Sequence, residues 1–416
     1  MEENKSYMTS IIIIGVLFFL FGFVTWLNGT LIPFLKISCE LTTSQALLVT
    51  FAFYISYFVM AFPSSQILQK VGYKKGMSLG LVVMAIGSLI FIPAALSREF
   101  ILFLMGLFIQ GTGLALLQTA ANPYLIAIGP IESAASRIAI MGIANKVAGI
   151  LAPIVLGFIV LENIDQIKDS LALLGGNAKQ AMLDDLAQKV ILPYVAISIA
   201  LVGLAFWLSR SALPNIEEED DVIYVEDENN PSKKWWQHKH LLLGFVAIFV
   251  YVGAEVIAGD TIGLYGQSLD IPLETAKFFT SLTLSCMLLG YILGYFMIPK
   301  YISQDKALAI SAIIGAIFSF GIVLSSGWLS VAFIALLGLA NAMMWPAIFP
   351  LALANLGKYM KEGSALLIMG IAGGAILPLA YSWLSNLSSP QMGYLLLVPI
   401  YLYILYFAIR GHLLRD

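Results

Sequence analysis

Apolar residues run in continuous stretches along almost the whole chain, interrupted by short clusters of charged and polar residues. About twenty consecutive apolar residues cross a hydrocarbon core of ~30 Å as a helix. A helix suits that medium because every backbone N–H and C=O is bonded within the segment. The pattern predicts twelve such helices, at residues 10–34, 45–69, 76–97, 100–128, 134–161, 190–210, 241–266, 274–299, 306–326, 328–356, 363–386 and 391–410. A membrane barrel is excluded, because its short strands alternate apolar and polar residues, whereas these runs are unbroken Leu, Ile, Phe and Ala.

The longest polar break, Pro214 to His240, divides the runs into two sets of six. The expected organisation is a first half over residues 1–211, a linker over 212–240 on the cytoplasmic side, and a second half over 241–416. The linker carries an acidic run, Glu217 to Asp221 and Glu226 to Glu228, followed by Lys233, Lys234, Trp235 and Trp236. It reads as a solvated connection whose tryptophans anchor at headgroup level. Between the fifth and sixth runs, Glu162 to Lys189 mixes charges with Leu, Ala and Met, which predicts a short amphipathic cap.

An internal repeat supports the division. Ile140-Met-Gly-Ile-Ala144 returns as Ile368-Met-Gly-Ile-Ala372, an offset of 228 residues, and each copy is followed by a proline, Pro153 or Pro378. Gln118 through Pro123 to Gly129 is echoed by Trp345 through Pro350 to Gly357. Two six-helix halves in parallel repeat, with substrate bound between them near the bilayer midplane, form the arrangement of major facilitator transporters. The expected fold class is therefore an all-α membrane protein of twelve transmembrane helices in two pseudo-two-fold related halves.

Lysine and arginine orient this arrangement. Lys70, Lys74, Lys75, Arg137, Arg210, Lys233, Lys234, Lys239, Lys300, Lys306, Lys358, Lys361 and Arg410 fall on the side of the termini, against few on the other. The positive-inside rule then places both termini in the cytoplasm. With 60% hydrophobic and 11% charged residues, the 416-residue chain is too apolar for a soluble protein. The first run lacks an A-x-A-like cleavage site and is read as a span rather than a removable leader. The two cysteines, Cys39 and Cys286, give no disulfide framework, and a net charge of −3 implies no nucleic-acid partner.

Polar residues inside apolar runs carry the candidate chemistry, since a charge at bilayer depth is costly and faces a cavity or a partner. Tyr251-Val-Gly-Ala-Glu-Val-Ile-Ala-Gly-Asp260 places Glu255 and Asp260 in the seventh run, and Lys146 lies near the middle of the fifth beside Asn145. Lys146 and Glu255 are expected to pair across a cavity. Two readings stay open for them: a fixed structural bridge, or one that forms in one conformation and yields in another. Asp260, about 140° around the helix from Glu255 and ~7.5 Å further along, is expected to hold Na⁺ transiently, carry a proton or receive a sugar hydroxyl. Gln118 and Asn122, four residues apart, share one stripe of the fourth run. Asn341 and Trp345 repeat that spacing in the tenth, and Trp26 and Asn28 flank the middle of the first. These residues, with Asn145 and Tyr54, are the candidate sugar contacts, amides to exchange hydrogen bonds with hydroxyls and aromatics to cover the apolar face of a ring.

Several stretches together resemble the fucose/glucose/galactose symporter family of the major facilitator superfamily. They are Phe21-Gly-Phe-Val-Thr-Trp-Leu-Asn-Gly-Thr-Leu-Ile-Pro33, Gln118-Thr-Ala-Ala-Asn-Pro-Tyr124 with Gly129-Pro130, Tyr251-Val-Gly-Ala-Glu255, and Asn355-Leu-Gly followed by the run to Pro378. The resemblance implies a carrier of the bacterial inner membrane, for hexoses or deoxyhexoses, driven by a proton or sodium gradient. The chain departs from the fucose type at two positions. Gly29 stands where that type has a proton-handling aspartate, and Gln118 where it has a glutamate; the glucose/galactose type also has glutamine there.

The expected function is therefore cation-coupled symport of a glucose- or galactose-type hexose by alternating access, with a sugar and H⁺ or Na⁺ as partners, as a monomer in the bilayer. Another sugar, such as N-acetylglucosamine, fructose or fucose, is the nearest alternative. Export of small hydrophobic compounds is a further one, disfavoured by the buried amides. No cofactor, resident metal or enzymatic activity is expected. The three histidines, His238, His240 and His412, lie at the central loop and the tail, and no catalytic set or phosphate loop is present.

Overall fold

The structure, a computed structural model, describes residues 2–127, 134–211, 213, 235–298, 300–356 and 359–414. Eleven helical stretches among these residues are long and apolar enough to cross a membrane. One of them, Thr43–Ser97, has 55 residues, which as a straight helix would extend about 80 Å, far beyond a core of ~30 Å. It turns back at Gly72, whose φ of 76° and ψ of 168° belong to no helix and which a side chain would oppose. The stretch therefore counts as the second and third spans, and the described residues contain the twelve expected.

The spans are broken where proline or small residues release the backbone. The first divides into Glu2–Trp26 and Asn28–Ser38. The tenth divides into Gly327–Asn341 and Met344–Leu353. Pro346 explains that break, since it lacks the N–H that would reach the carbonyl of Ala342, four residues earlier. Pro350 likewise leaves the carbonyl of Pro346 without its helical donor, and the side-chain amide of Gln304 donates to the carbonyls of Pro346 and Ala347, at 2.7 and 3.3 Å. In the eleventh span, Met360–Met369 and Gly373–Leu387 are joined by a 3-10 turn at Gly370–Ala372. The seventh runs unbroken over Lys239–Asp260, bends at Thr261 and resumes as Ile262–Ser268. His240 lies in its first turn rather than in the loop, with Nε2 2.8 Å from the Ala354 carbonyl.

The segment after the fifth span, Ala134–Val160, forms two short helices, Ile164–Leu173 and Gly176–Gln188. Lys179 pairs with Glu40 at 2.6 Å and Arg98 with Asp184 at 3.0 Å, which ties this cap to the loops after the first and third spans. Residues 214–234, with the acidic run and Lys233 and Lys234, lie outside the described residues.

The repeat is visible in packing. Gly22 in the first span lies against the backbone of Asn145 in the fifth, so closely that a Cβ would strike its carbonyl. The same helix pair in the second half, seventh on eleventh, has Gly373 against the carbonyl of Phe249. Gly373 stands 228 residues after Asn145, and Phe249 is one residue from the equivalent of Gly22. The close approach is kept, while the glycine that permits it has moved to the other helix of the pair. Across the halves, the fifth span packs on the eighth, Phe279–Met297, and the second on the eleventh.

Candidate functional site

Between the two halves lies a cavity of about 160 Å³. The first half contributes Phe18, Phe21, Trp26, Tyr54 and Tyr57 with the polar groups of Gln118, Asn145 and Lys146. The second contributes Tyr251, Glu255, Tyr291 and Trp345. Aromatic faces thus surround a few converging polar groups, the usual composition of a small-ligand site.

Its electrostatic centre is an ion pair. Lys146 Nζ donates to Glu255 Oε1 at 2.7 Å, with side chains 8% and 10% exposed. The ammonium also lies 4.8 Å from the centre of the Trp26 ring, over its face, an attraction that strengthens when water is excluded. Lys146 comes from the fifth span and Glu255 from the seventh, so this hydrogen bond joins the halves through the cavity. Trp26 is itself wedged between them, against Gly149 of the fifth span on one side and Gly259 of the seventh on the other.

Gln118 donates from Nε2 to the Tyr57 hydroxyl at 3.0 Å, which fixes the amide and leaves its oxygen available. Asn145 donates to the Phe18 carbonyl at 3.3 Å. Trp345 stacks on Phe349 at 5.4 Å. Of the residues named from the sequence, Trp26, Tyr54, Gln118, Asn145, Lys146, Glu255 and Trp345 come together on the cavity. Asn28 and Asn341 do not line it. Asn28 is buried, with its Nδ2 without a partner, and Asn341 accepts from the Tyr401 hydroxyl at 2.9 Å within the second half. The side chain of Asn122 lies outside the described residues.

Asp260 is apart from the cavity. The helix is continuous from Glu255 to Asp260, so the two acids point in different directions, as the five-residue spacing requires. Asp260 is fully buried; Oδ2 accepts from Thr50 of the second span at 3.4 Å, and Oδ1 has no partner. Sequence reasoning did not single out Tyr251, Tyr291 or Phe21. Tyr251 precedes Glu255 by one turn and shares its face, a signal that could have found it.

At the end of the molecule remote from the termini, further bonds join the halves. Asp165 accepts from the backbone N–H groups of Leu273 and Glu274 at 3.1 and 2.9 Å. The hydroxyls of Ser44 and Ser382 are 2.8 Å apart, and Asn386 donates to Ser44 at 2.9 Å. Lys277 reaches the Leu161 carbonyl at 3.4 Å, and Ser281 donates to the Ile150 carbonyl at 2.8 Å. These bonds hold the two halves together and close that end.

The sequence pattern of the Major Facilitator Superfamily matches residues 14–378. A glucose/galactose transporter of Brucella abortus is 33% identical over 420 residues, covering 99% of this chain and 96% of the relative. The L-fucose-proton symporter of Escherichia coli is 28% identical, covering 92% and 88%. The crystal structure of an E. coli fucose:proton symporter variant superimposes with a TM-score of 0.75 at 26% identity, covering 97% and 98% of the two chains. A D-xylose-proton symporter shares the fold, with a TM-score of 0.68 at 15% identity. The cavity between two six-helix halves and the match across nearly the whole length agree: the chain is a multi-pass membrane protein of the Major Facilitator Superfamily, a transporter rather than an enzyme, related to glucose/galactose transporters and fucose-proton symporters.

Proposed function

We propose that the protein imports a hexose of the glucose/galactose type together with a cation, H⁺ or Na⁺, by alternating access. The observation that carries this reading is the Lys146–Glu255 pair, which bridges the two halves inside a cavity lined by aromatic rings and amides. A buried ion pair costs desolvation free energy and is not needed for packing. Its place across a moving interface gives it a use, since it is made with the halves close on the cavity and broken when they separate. A sugar ring offers hydroxyls to Gln118, Asn145 and the pair, and an apolar face to Trp26 or Trp345. At about 160 Å³ the cavity is smaller than the roughly 300–1,000 Å³ of drug-sized sites, as suits a ligand the size of a monosaccharide. Glu255, Lys146 and Asp260 are the proposed coupling groups, and a relative named as a fucose-proton symporter favours H⁺.

The same reading places the protein in a bacterial cytoplasmic membrane with both termini inside, so that the sealed end is the outer one. The test is uptake of labelled glucose and galactose into vesicles carrying the purified protein, with pH and sodium gradients imposed separately. Accumulation that follows one gradient supports coupling; uptake indifferent to both contradicts it, and no uptake of either sugar contradicts the substrate class.

A further inference from the structure

We propose that Asp260 takes up the coupling proton and holds it while the outer end is closed. This rests on the reading of cation-coupled sugar uptake, and assigns the cation and its carrier within that reading.

The first argument is the missing counter-charge. Asp260 is 0% exposed and has one long hydrogen bond, from Thr50, with Oδ1 unpartnered. An ionised carboxylate in such surroundings is strongly disfavoured, whereas the neutral acid is tolerated. The nearby cations are engaged elsewhere. Lys146 is bound to Glu255 at 2.7 Å. Lys277, just before the eighth span, is turned to the Leu161 carbonyl at 3.4 Å and lies 5.5 and 5.4 Å from the rings of Phe158 and Phe278. Glu255, on the same helix, is an acid, and Tyr54 of the second span is a neutral phenol, so neither offers Asp260 positive charge. The second helix of the first span, Asn28–Ser38, also packs on the seventh; its one charged residue, Lys36, donates to the Thr43 hydroxyl at 2.9 Å.

The second argument separates a proton from sodium. Sodium sites in transporters draw on backbone carbonyls where a helix loosens, and the seventh span does bend beside Asp260, at Thr261. Yet two carbonyls just before that bend already accept hydroxyl donors: Thr280 donates to Gly259 at 2.8 Å and Thr261 to Ile257 at 2.7 Å. Each donor aims the positive end of an O–H bond at the oxygen a metal ion would need. A proton on the carboxyl requires no such cage.

The third argument is the link to the sugar cavity. Trp26 lies under the Lys146 ammonium on the cavity side and packs on Gly259, the residue before Asp260, on the other. A sugar that loads Trp26 therefore bears on the backbone that carries the acid. With the outer end open, the Asp260 carboxylate meets water and binds one proton, forming one O–H bond and losing its charge. The neutral group is then buried against Thr50 as the end closes. Opening to the cytoplasm breaks that O–H bond and returns the proton to water.

The test uses vesicles containing the full-length protein and a trapped pH-sensitive dye, with sugar exchange measured in the same preparation. The parent is expected to acidify the interior when glucose or galactose is added outside. Asp260→Asn, which mimics the neutral acid, is expected to exchange labelled sugar while its acidification falls to that of protein-free vesicles. Acidification by Asp260→Asn equal to the parent's would overturn the assignment and leave coupling intact. Net sugar uptake by the parent that follows a sodium gradient without proton entry would overturn the assignment and leave coupling intact, whereas uptake that follows neither gradient would overturn coupling itself. A measurement on the unaltered protein does not depend on the variant folding. Infrared spectra should contain a protonated-carboxyl band that shifts when aspartate carboxyls are ¹³C-labelled, since Asp260 is the one buried aspartate among the described residues. A band that shifts with glutamate labelling alone, or no band, would contradict the proposal.

Discussion

Lys146 and Glu255 are each acceptable in the membrane interior because of the other. Removing one partner of such a pair strands the remaining charge and typically costs ~3–5 kcal/mol, while replacing both by uncharged groups of similar size is often near neutral. Lys146→Met alone is therefore expected to lower the thermal unfolding midpoint in detergent sharply, and Lys146→Met with Glu255→Gln to recover most of the loss. If the double variant is no more stable than the single ones, the pair is not the unit described. Trp26 offers a milder test. Trp26→Phe keeps an aromatic face but presents less of it, and apparent sugar affinity should fall roughly threefold to tenfold, the equivalent of ~0.5–1.5 kcal/mol. Competition between labelled and unlabelled galactose would measure it. The charged pair was legible in the sequence, because a lysine and a glutamate at similar depth leave each other as the simplest partners. Asn28 and Asn341 were indistinguishable there from the amides that reach the cavity. Periodicity gives the face of a helix, but not whether a cavity or a neighbour such as Tyr401 lies opposite that face.

At the scale of elements, the close approach of helices sets which glycines matter. A methyl at Gly22 would meet the Asn145 carbonyl, and one at Gly373 the Phe249 carbonyl. Gly22→Ala and Gly373→Ala should each destabilise by at least ~1–3 kcal/mol, the usual cost of overpacking. Gly203, in the sixth span Ile191–Arg210, has nothing within 4 Å of where a methyl would go. Gly203→Ala should be neutral or stabilising by up to ~1 kcal/mol, and thermal unfolding of the three variants side by side reads the contrast. The same geometry holds at Gly29, where a side chain would strike Thr280. Spans were readable because apolar length is a strong signal. Their breaks were less so. A proline such as Pro346 announces a break, but the gap at Ala342 and Met343 lies four residues before it, at the reach of the lost hydrogen bond. The bend at Thr261 follows from no proline.

Across the whole molecule, the halves are held together at the sealed end by a small set of replaceable bonds. Asp165 is the most exposed to test, because one carboxylate satisfies two backbone N–H groups of the other half. Loss of a cap of this kind costs about 1–2 kcal/mol, a factor of about 5–30 between two conformations. Asp165→Ala should raise the open population accordingly. The reading is the rate at which a membrane-impermeant thiol reagent modifies Gln267→Cys, a position at the mouth of that end, in a background lacking Cys39 and Cys286. An unchanged rate would mean the seal does not depend on Asp165. The two-half architecture was legible from the repeat and the long central loop, since both are properties of sequence order. Which end is closed was not, because it depends on contacts such as Ser44 with Ser382, 338 residues apart.

The most direct test of the account is a comparison of Glu255→Gln with the parent in the same vesicles, measuring both gradient-driven accumulation and exchange of labelled galactose. A bridge that must form and break to couple cation to sugar predicts that Glu255→Gln loses accumulation while some exchange remains. Accumulation by Glu255→Gln equal to the parent's would reduce Glu255 to a packing partner of Lys146 and contradict the central claim.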